Sequence, residues 1–180
     1  QKFSGDEMVD QVAIFFLAGH ETSASALAWA LYLLSLDQSA QARVASEAKA
    51  ASAEGDFTFK NLSKMPFTRN VFKETLRLYP PVPMMVRENL REEIFRERRI
   101  KVGSQIVLSP WHLGRHQRFW DKPDVFDPDR WDRPENKKPA REAFIPFSTG
   151  PRVCTGAGFA MVEGVLLLAM LVKSFDFKTV

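Results

Sequence analysis

This 180-residue sequence predicts a mainly α fold with small β-sheets, an α+β class, and three observations carry that prediction. No proline occurs before Pro66, whereas ten of the eleven fall from Pro80 onward, so the first third can be continuous helix and the second half must turn often. An apolar pattern starting at Met8 runs unbroken to about Leu36. After Pro80-Pro81 the pattern changes to short extended runs separated by turn residues, and it returns to an apolar helix only near the end.

Taken in order, Ser4 and Glu7 have the spacing of a capping box and open one very long helix to Leu36, expected to be largely buried. A second, alanine-rich helix is expected from Ser39 to Ala53, stopped by Gly55-Asp56. Pro66 suits the first turn of a third helix, Phe67 to Leu78, which Pro80-Pro81 ends by disfavouring helical geometry at Tyr79. Met84 to Glu88 reads as extended. The runs 100–102 and 105–108 flank Gly103-Ser104, a turn pair suited to a tight hairpin. A short helix is expected from Trp111 to Phe119. The segment Asp121 to Pro146 holds five prolines and no sustained period, which predicts a long ordered loop of the functional kind. The last helix, Gly156 to Val172, is apolar nearly all round and is expected to be buried.

Composition narrows the function. With 45% hydrophobic and 12% aromatic residues the chain is neither disordered nor low-complexity. A net charge of +3, with bases interleaved among acids as in Arg91-Glu92-Glu93 and Arg96-Glu97-Arg98-Arg99, describes a solvated surface and not a nucleic-acid site. Val12–Leu36 is long enough to span a membrane, but His20 and Glu21 near its centre favour a soluble core helix. No secretory signal follows Gln1-Lys2-Phe3-Ser4. The single cysteine cannot close an intrachain disulfide, which points to a reducing compartment or to a special use of that sulfur, and a cytoplasmic setting is expected.

That cysteine, Cys154, stands in the stretch Phe147-Ser148-Thr149-Gly150-Pro151-Arg152-Val153-Cys154-Thr155-Gly156, just before a helix. Its sulfur lies beside backbone N–H groups and a positive helix end, with Arg152 two residues away, surroundings that favour thiolate over thiol. Gly150 and Gly156 let the backbone fold closely around a bulky ligand. A cysteine hydrolase needs a paired base, for which His20, His112 and His116 are the only histidines. A zinc site needs three or four ligands at short spacing, which one cysteine and distant histidines do not supply.

The stretch resembles the haem-binding loop of the cytochrome P450 family: phenylalanine, two residues, glycine, one residue, arginine, one residue, cysteine, one residue, glycine. The resemblance implies that Cys154 is the thiolate ligand of the iron of haem b, that Arg152 meets a haem propionate, and that Phe147 shields the sulfur. Thr155 departs from the apolar residue usual there and offers the thiolate an extra hydroxyl.

A second stretch, Ala18-Gly19-His20-Glu21-Thr22-Ser23, breaks local rules in mid-helix: a glycine costs about 1 kcal/mol there, and Thr22 can bond back to the Ala18 carbonyl. It is similar to the family's oxygen-activation motif. That similarity implies that Glu21 and Thr22 deliver protons to dioxygen and that Gly19 makes room for it. Glu74 and Arg77 share a helix face. Phe126-Asp127-Pro128-Asp129-Arg130-Trp131 resembles the family segment whose arginine joins such a pair, implying a buried triad of Glu74, Arg77 and Arg130 that locks the loop 121–146. Arg87 matches the position of a second propionate contact. Gly114-Arg115 departs from a common histidine–arginine pair.

The resemblance implies the C-terminal part of the cytochrome P450 fold over residues 1–180, a chain truncated at both ends. The expected activity is that of a haem-thiolate monooxygenase placing one oxygen atom of O2 into an apolar organic substrate. A ferredoxin or a flavodoxin-type reductase is the expected electron donor, steered by Lys137, Lys138 and Arg141. Phe15, Phe16, Val82, Met84, Met85 and Val86 match substrate-lining positions. The alternative is a non-catalytic haem-binding sensor or an inactive fragment of such an enzyme.

Overall fold

The chain enters its first helix through a complete capping box. The Glu7 N–H donates to Ser4 Oγ at 3.2 Å, and the Ser4 N–H donates to Glu7 Oε2 at 2.8 Å. In this computed structural model, which describes residues 3–53 and 55–180, α1 then runs from Gly5 to Leu36 without interruption. Its burial departs from expectation. Only Ala26, Ala30, Leu33 and Leu34 are buried, while Met8, Val9, Val12, Ile14, Phe16 and Leu17 are exposed. The C-terminal half alone has other helices to pack against.

Asp37 caps α2 (Gln38–Ala51) by accepting the Ala40 N–H at 2.9 Å. The start of α3 (Pro66–Leu78) has proline at its first position, where no N–H is needed. Its next two amides donate to the Glu47 carboxylate of α2, Phe67 at 2.9 Å and Thr68 at 2.8 Å. An acid from one helix thus caps the next, satisfying donors that the helix itself leaves open. A 3-10 turn at Phe59–Lys64, absent from the sequence reading, links the two.

The last helix, α6 (Ala157–Ser174), packs against α1, α2 and α3. Leu34, Val44, Val71, Leu168 and Val172 form one buried cluster at this junction; Ala48, Met65, Phe72, Val165 and Ala169 form another. The Phe72 ring lies so close to Gly164 that a side chain there would overlap it. α6 is apolar and, at 18 residues, long enough to cross a membrane, yet one face of it is this core. The expectation that it is buried all round is corrected: Phe159, Leu167 and Met170 on its other face are exposed.

Two small antiparallel sheets follow α3. β1 (Met85–Glu88) pairs with β4 (Gln105–Leu108), placing Arg87 opposite Ile106. Between them β2 (Glu93–Phe95) and β3 (Arg98–Ile100) form a separate hairpin. The expected hairpin across Gly103-Ser104 is therefore corrected: the tight turn is Arg96-Glu97, both at positive φ (49° and 65°). Gly103 (φ 78°) instead forms the neck that brings β4 beside β1. Asn89 secures that neck. Its carbonyl accepts the Gly103 N–H at 2.8 Å, its N–H donates to the Ser104 carbonyl at 2.9 Å, and its side-chain amide donates to Ile100 and Lys101 carbonyls.

The helix expected over Trp111–Phe119 is shorter, α4 spanning Pro110–Gly114. The segment 121–146 is not plain loop. It contains 3-10 turns at Pro128–Asp132 and Pro134–Asn136 and the short α5 (Lys137–Glu142), each too brief for periodicity to reveal.

Candidate functional site

Glu74, near the C-terminal end of α3, is fully buried, as are Arg77 and Arg130. One carboxylate oxygen accepts from Arg77 Nη2 (2.7 Å), Arg130 Nε (2.8 Å) and the Asp127 N–H (3.0 Å); the other accepts from Arg77 Nε (2.9 Å) and Trp131 Nε1 (3.1 Å). The guanidinium hydrogens left over reach main-chain carbonyls: Arg77 those of Gly114, Pro123 and Val125, Arg130 those of Asp121, Lys122 and Val125. A buried charge cluster is tolerable only when its polar atoms are met in this way. The result ties α3 to Gly114 of α4 and to five residues of the otherwise irregular segment, Pro123, Val125, Asp127, Arg130 and Trp131.

Gly114 belongs to this arrangement. A Cβ there would overlap the Arg77 carbonyl oxygen, so the backbone of α4 can sit on α3 only because residue 114 has no side chain. This explains why the residue before Arg115 is glycine. Arg115 fills the neighbouring space, over the faces of Tyr79 and Trp111, with Tyr79 stacked on Trp29 at 4.0 Å.

The cysteine loop starts where this anchored segment ends. The Cys154 N–H donates to the Phe147 carbonyl at 2.9 Å and closes the loop on itself. Gly150 (φ 70°) makes a turn that glycine takes freely; Ser148 (φ 63°) takes a similar one against its own Cβ, at roughly 1 kcal/mol. The α6 N-terminus next to the cysteine has no side-chain cap, so its partial positive charge faces the loop. Cys154 is a free, exposed thiol.

Above this loop a cleft of about 770 Å³ opens between α1, α3 and α6, within the range of about 300–1,000 Å³ usual for small-molecule and cofactor sites. Gly19, Thr22, Phe147, Arg152, Cys154 and Gly156 line it, together with apolar groups such as Phe15, Ala26, Phe72, Leu76, Val82 and Met85. The cysteine loop and the rule-breaking stretch of α1, 132 residues apart, thus share one cavity. Of the remaining residues singled out by sequence, Gly150, Glu21, Phe16, Met84 and Val86 are not on its wall. Arg87 is not on the wall either, but its Nη2 donates to Ser148 Oγ at 3.1 Å, and Ser148 is.

Thr22 Oγ1 donates to the Ala18 carbonyl at 2.8 Å, the back-bond expected from sequence, though α1 stays helical through it. Glu21 is exposed and directed away from the cleft. At about 100° per residue the lining positions Ala18, Gly19, Thr22 and Ser23 share one arc of the helix surface, and Glu21 falls outside it. A different carboxylate approaches: Ser23 Oγ donates to Glu163 Oε2 of α6 at 2.9 Å, partly buried, and Ser23 lines the cleft. Glu163 escaped the sequence reading, although an acid inside the apolar run Met161-Val162-Glu163-Gly164-Val165 breaks the helix pattern as plainly as Gly19 does.

A self-closed cysteine loop at a helix N-terminus, held by a buried carboxylate–arginine anchor, and a second helix passing across it thus meet at one largely apolar cleft of the size that small-molecule and cofactor sites have. The cytochrome P450 family model matches residues 1–180, and the chain belongs to that family. It is 36% identical over 178 residues to "Protein LUTEIN DEFICIENT 5, chloroplastic" of Arabidopsis thaliana, covering 97% of this chain and 30% of that protein. It is 35% identical over 175 residues to "Cytochrome P450 4X1" of Rattus norvegicus, covering 96% and 34%. To "Cyclooctatin synthase" of Streptomyces melanosporofaciens it is 36% identical over 168 residues, covering 93% and 37%. The chain spans about a third of the length of these relatives.

The family's cofactor is haem, and the cleft fits it. The walls are mostly apolar, as a porphyrin face requires, and the one cysteine on them carries the soft sulfur ligand that haem-thiolate iron takes. Arg152 on the wall supplies positive charge for carboxylates, and among the described residues no acid lies within ion-pair distance of it.

Proposed function

We propose that this chain forms the haem-thiolate part of a monooxygenase that inserts one atom of dioxygen into an apolar organic substrate. The observation that carries this reading is the single cleft with Cys154 and Thr22 both on its wall. In the proposal Cys154 ligates the iron, Arg152 and Arg87 hold the propionates, and Phe147 keeps water from the sulfur. Bound there, haem supplies dioxygen activation, which a thiolate ligand promotes by donating electron density. Thr22 holds a proton at Oγ1 on the cleft wall. Gly19, three residues before it, leaves the wall open beside that hydroxyl.

The apolar side chains of Phe15, Val82 and Met85 on the cleft wall support an apolar substrate. Lys137, Lys138 and Arg141 are exposed on and around α5, the last helix before the cysteine loop. We assign them to electrostatic steering of an acidic electron donor, a ferredoxin or a flavodoxin-type reductase.

Thr22→Ala tests the oxygen chemistry. It removes the hydroxyl and leaves the alanine-compatible helix intact, so electrons are still consumed while product formed per electron falls several-fold. An unchanged ratio contradicts the role given to Thr22.

A further inference from the structure

Besides the hairpin tip at Arg96-Glu97, two non-glycine residues among those described have positive φ: Lys122, beside the buried triad, and Ser148. Ser148 alone lines the cleft. Glycine adopts such a φ without strain and serine does not. A serine kept there needs a compensating contact, and its hydroxyl has one: it accepts from Arg87 Nη2 at 3.1 Å, joining β1 to the cysteine loop across 61 residues of sequence.

The other end of that bond is a half-committed cation. Arg87 Nη1 donates to the Val86 carbonyl at 2.9 Å, so two of the five guanidinium hydrogens are used and three remain. Among the described residues no carboxylate lies within ion-pair distance of Arg87. A half-buried guanidinium held at two points, with no acid, beside a cleft is arranged to receive an anion that belongs to the ligand.

We propose that Ser148 is a positioning residue: its hydroxyl sets the plane of the Arg87 guanidinium so that the three free N–H groups meet a carboxylate of the bound group. This rests on the haem reading above, in which that carboxylate is a propionate. The left-handed backbone of Ser148 is what brings the hydroxyl within reach of β1.

The test uses two substitutions with opposite effects on the backbone. Ser148→Gly relieves the strain and Ser148→Ala keeps it, but both remove the hydroxyl. Haem transfer from the loaded protein to an excess of apomyoglobin is followed together with thermal stability. Both variants should release haem roughly three- to tenfold faster than the parent, the effect of one hydrogen bond. Ser148→Gly should do so with an unchanged or higher Tm. In an Arg87→Ala background, Ser148→Gly should add no further acceleration. The proposal is overturned if haem release follows Tm instead of the hydroxyl, or if the acceleration is as large without Arg87. A parent protein whose reduced carbon-monoxide complex lacks a thiolate spectrum overturns the haem reading itself, before any Ser148 variant is compared.

Discussion

Arg130 reaches back 56 residues to place its Nε–H on Glu74 at 2.8 Å, and neither side chain exposes more than 1% of its surface. Glu74→Gln keeps the shape but leaves two buried guanidiniums without their counter-ion. Removing one partner of a buried cluster costs about 3–5 kcal/mol. Urea denaturation of the variant should show a loss of that size together with a loosened cysteine loop, seen as faster modification of the Cys154 thiol. A stability within experimental error of the parent refutes the anchoring role.

Gly114→Ala adds one methyl group where the Arg77 carbonyl already lies. The backbone of α4 must move off α3 and disturb the hydrogen bond from Arg77 to the Gly114 carbonyl. A loss of about 1–3 kcal/mol is expected from overpacking. Gly103→Ala, strained by φ alone in an open neck, serves as the comparison and should cost less. Equal costs contradict the steric account of Gly114.

Ser23 and Glu163 join α1 to α6 at the cleft wall. Ser23→Ala leaves the partly buried carboxylate without that donor, and Glu163→Ala removes the acceptor. A double-mutant cycle on stability should give a coupling of about 0.5–1.5 kcal/mol. Additive effects would show that the bond contributes nothing.

Arg43 and Asp129 pair bidentately at 2.8 Å, between α2 and the turn that carries Arg130. The hydrogen bond from Arg43 holds the Asp129 carboxyl below its ordinary value, with the charges of Arg43 and Arg133 adding to it and burial opposing. A folded-state value below the unfolded one means that the unfolded chain takes up the proton first on acidification. The stabilisation is therefore complete above the ordinary carboxylate range and is lost as pH falls through the depressed value. Both side chains are about half exposed, so the pair contributes only about 0.2–1 kcal/mol. The stability difference between the parent and Arg43→Gln should shrink between neutral pH and pH of about 3. A difference independent of pH contradicts the assignment.

The parts of this fold legible in the sequence are those written in local chemistry. The capping box at Ser4 and Glu7, the proline opening α3 and the back-bond of Thr22 each follow from a few neighbouring residues. What escaped depends on partners far along the chain. The turn at Arg96-Glu97 has two charged residues at positive φ, where sequence rules look for asparagine and glycine, and Asn89 draws the glycine pair into a neck instead. Glu163 is a lone acid until α6 lies against α1 and Ser23 meets it. Burial of α1 was overestimated because an apolar helix does not say which of its faces has a neighbour. In the site, the cysteine loop and the Gly19–Thr22 stretch were visible separately; only the fold puts them on one cavity and turns Glu21 away from it.

In the proposed function the Cys154 sulfur ligates the haem iron, and the absorption spectrum of the reduced carbon-monoxide complex of the haem-loaded protein reads that bond. The parent should show a thiolate-type Soret band. Cys154→His should still take up haem and show the imidazole-type band in its place. A thiolate band that survives the substitution, or a parent that never shows one, contradicts that ligation.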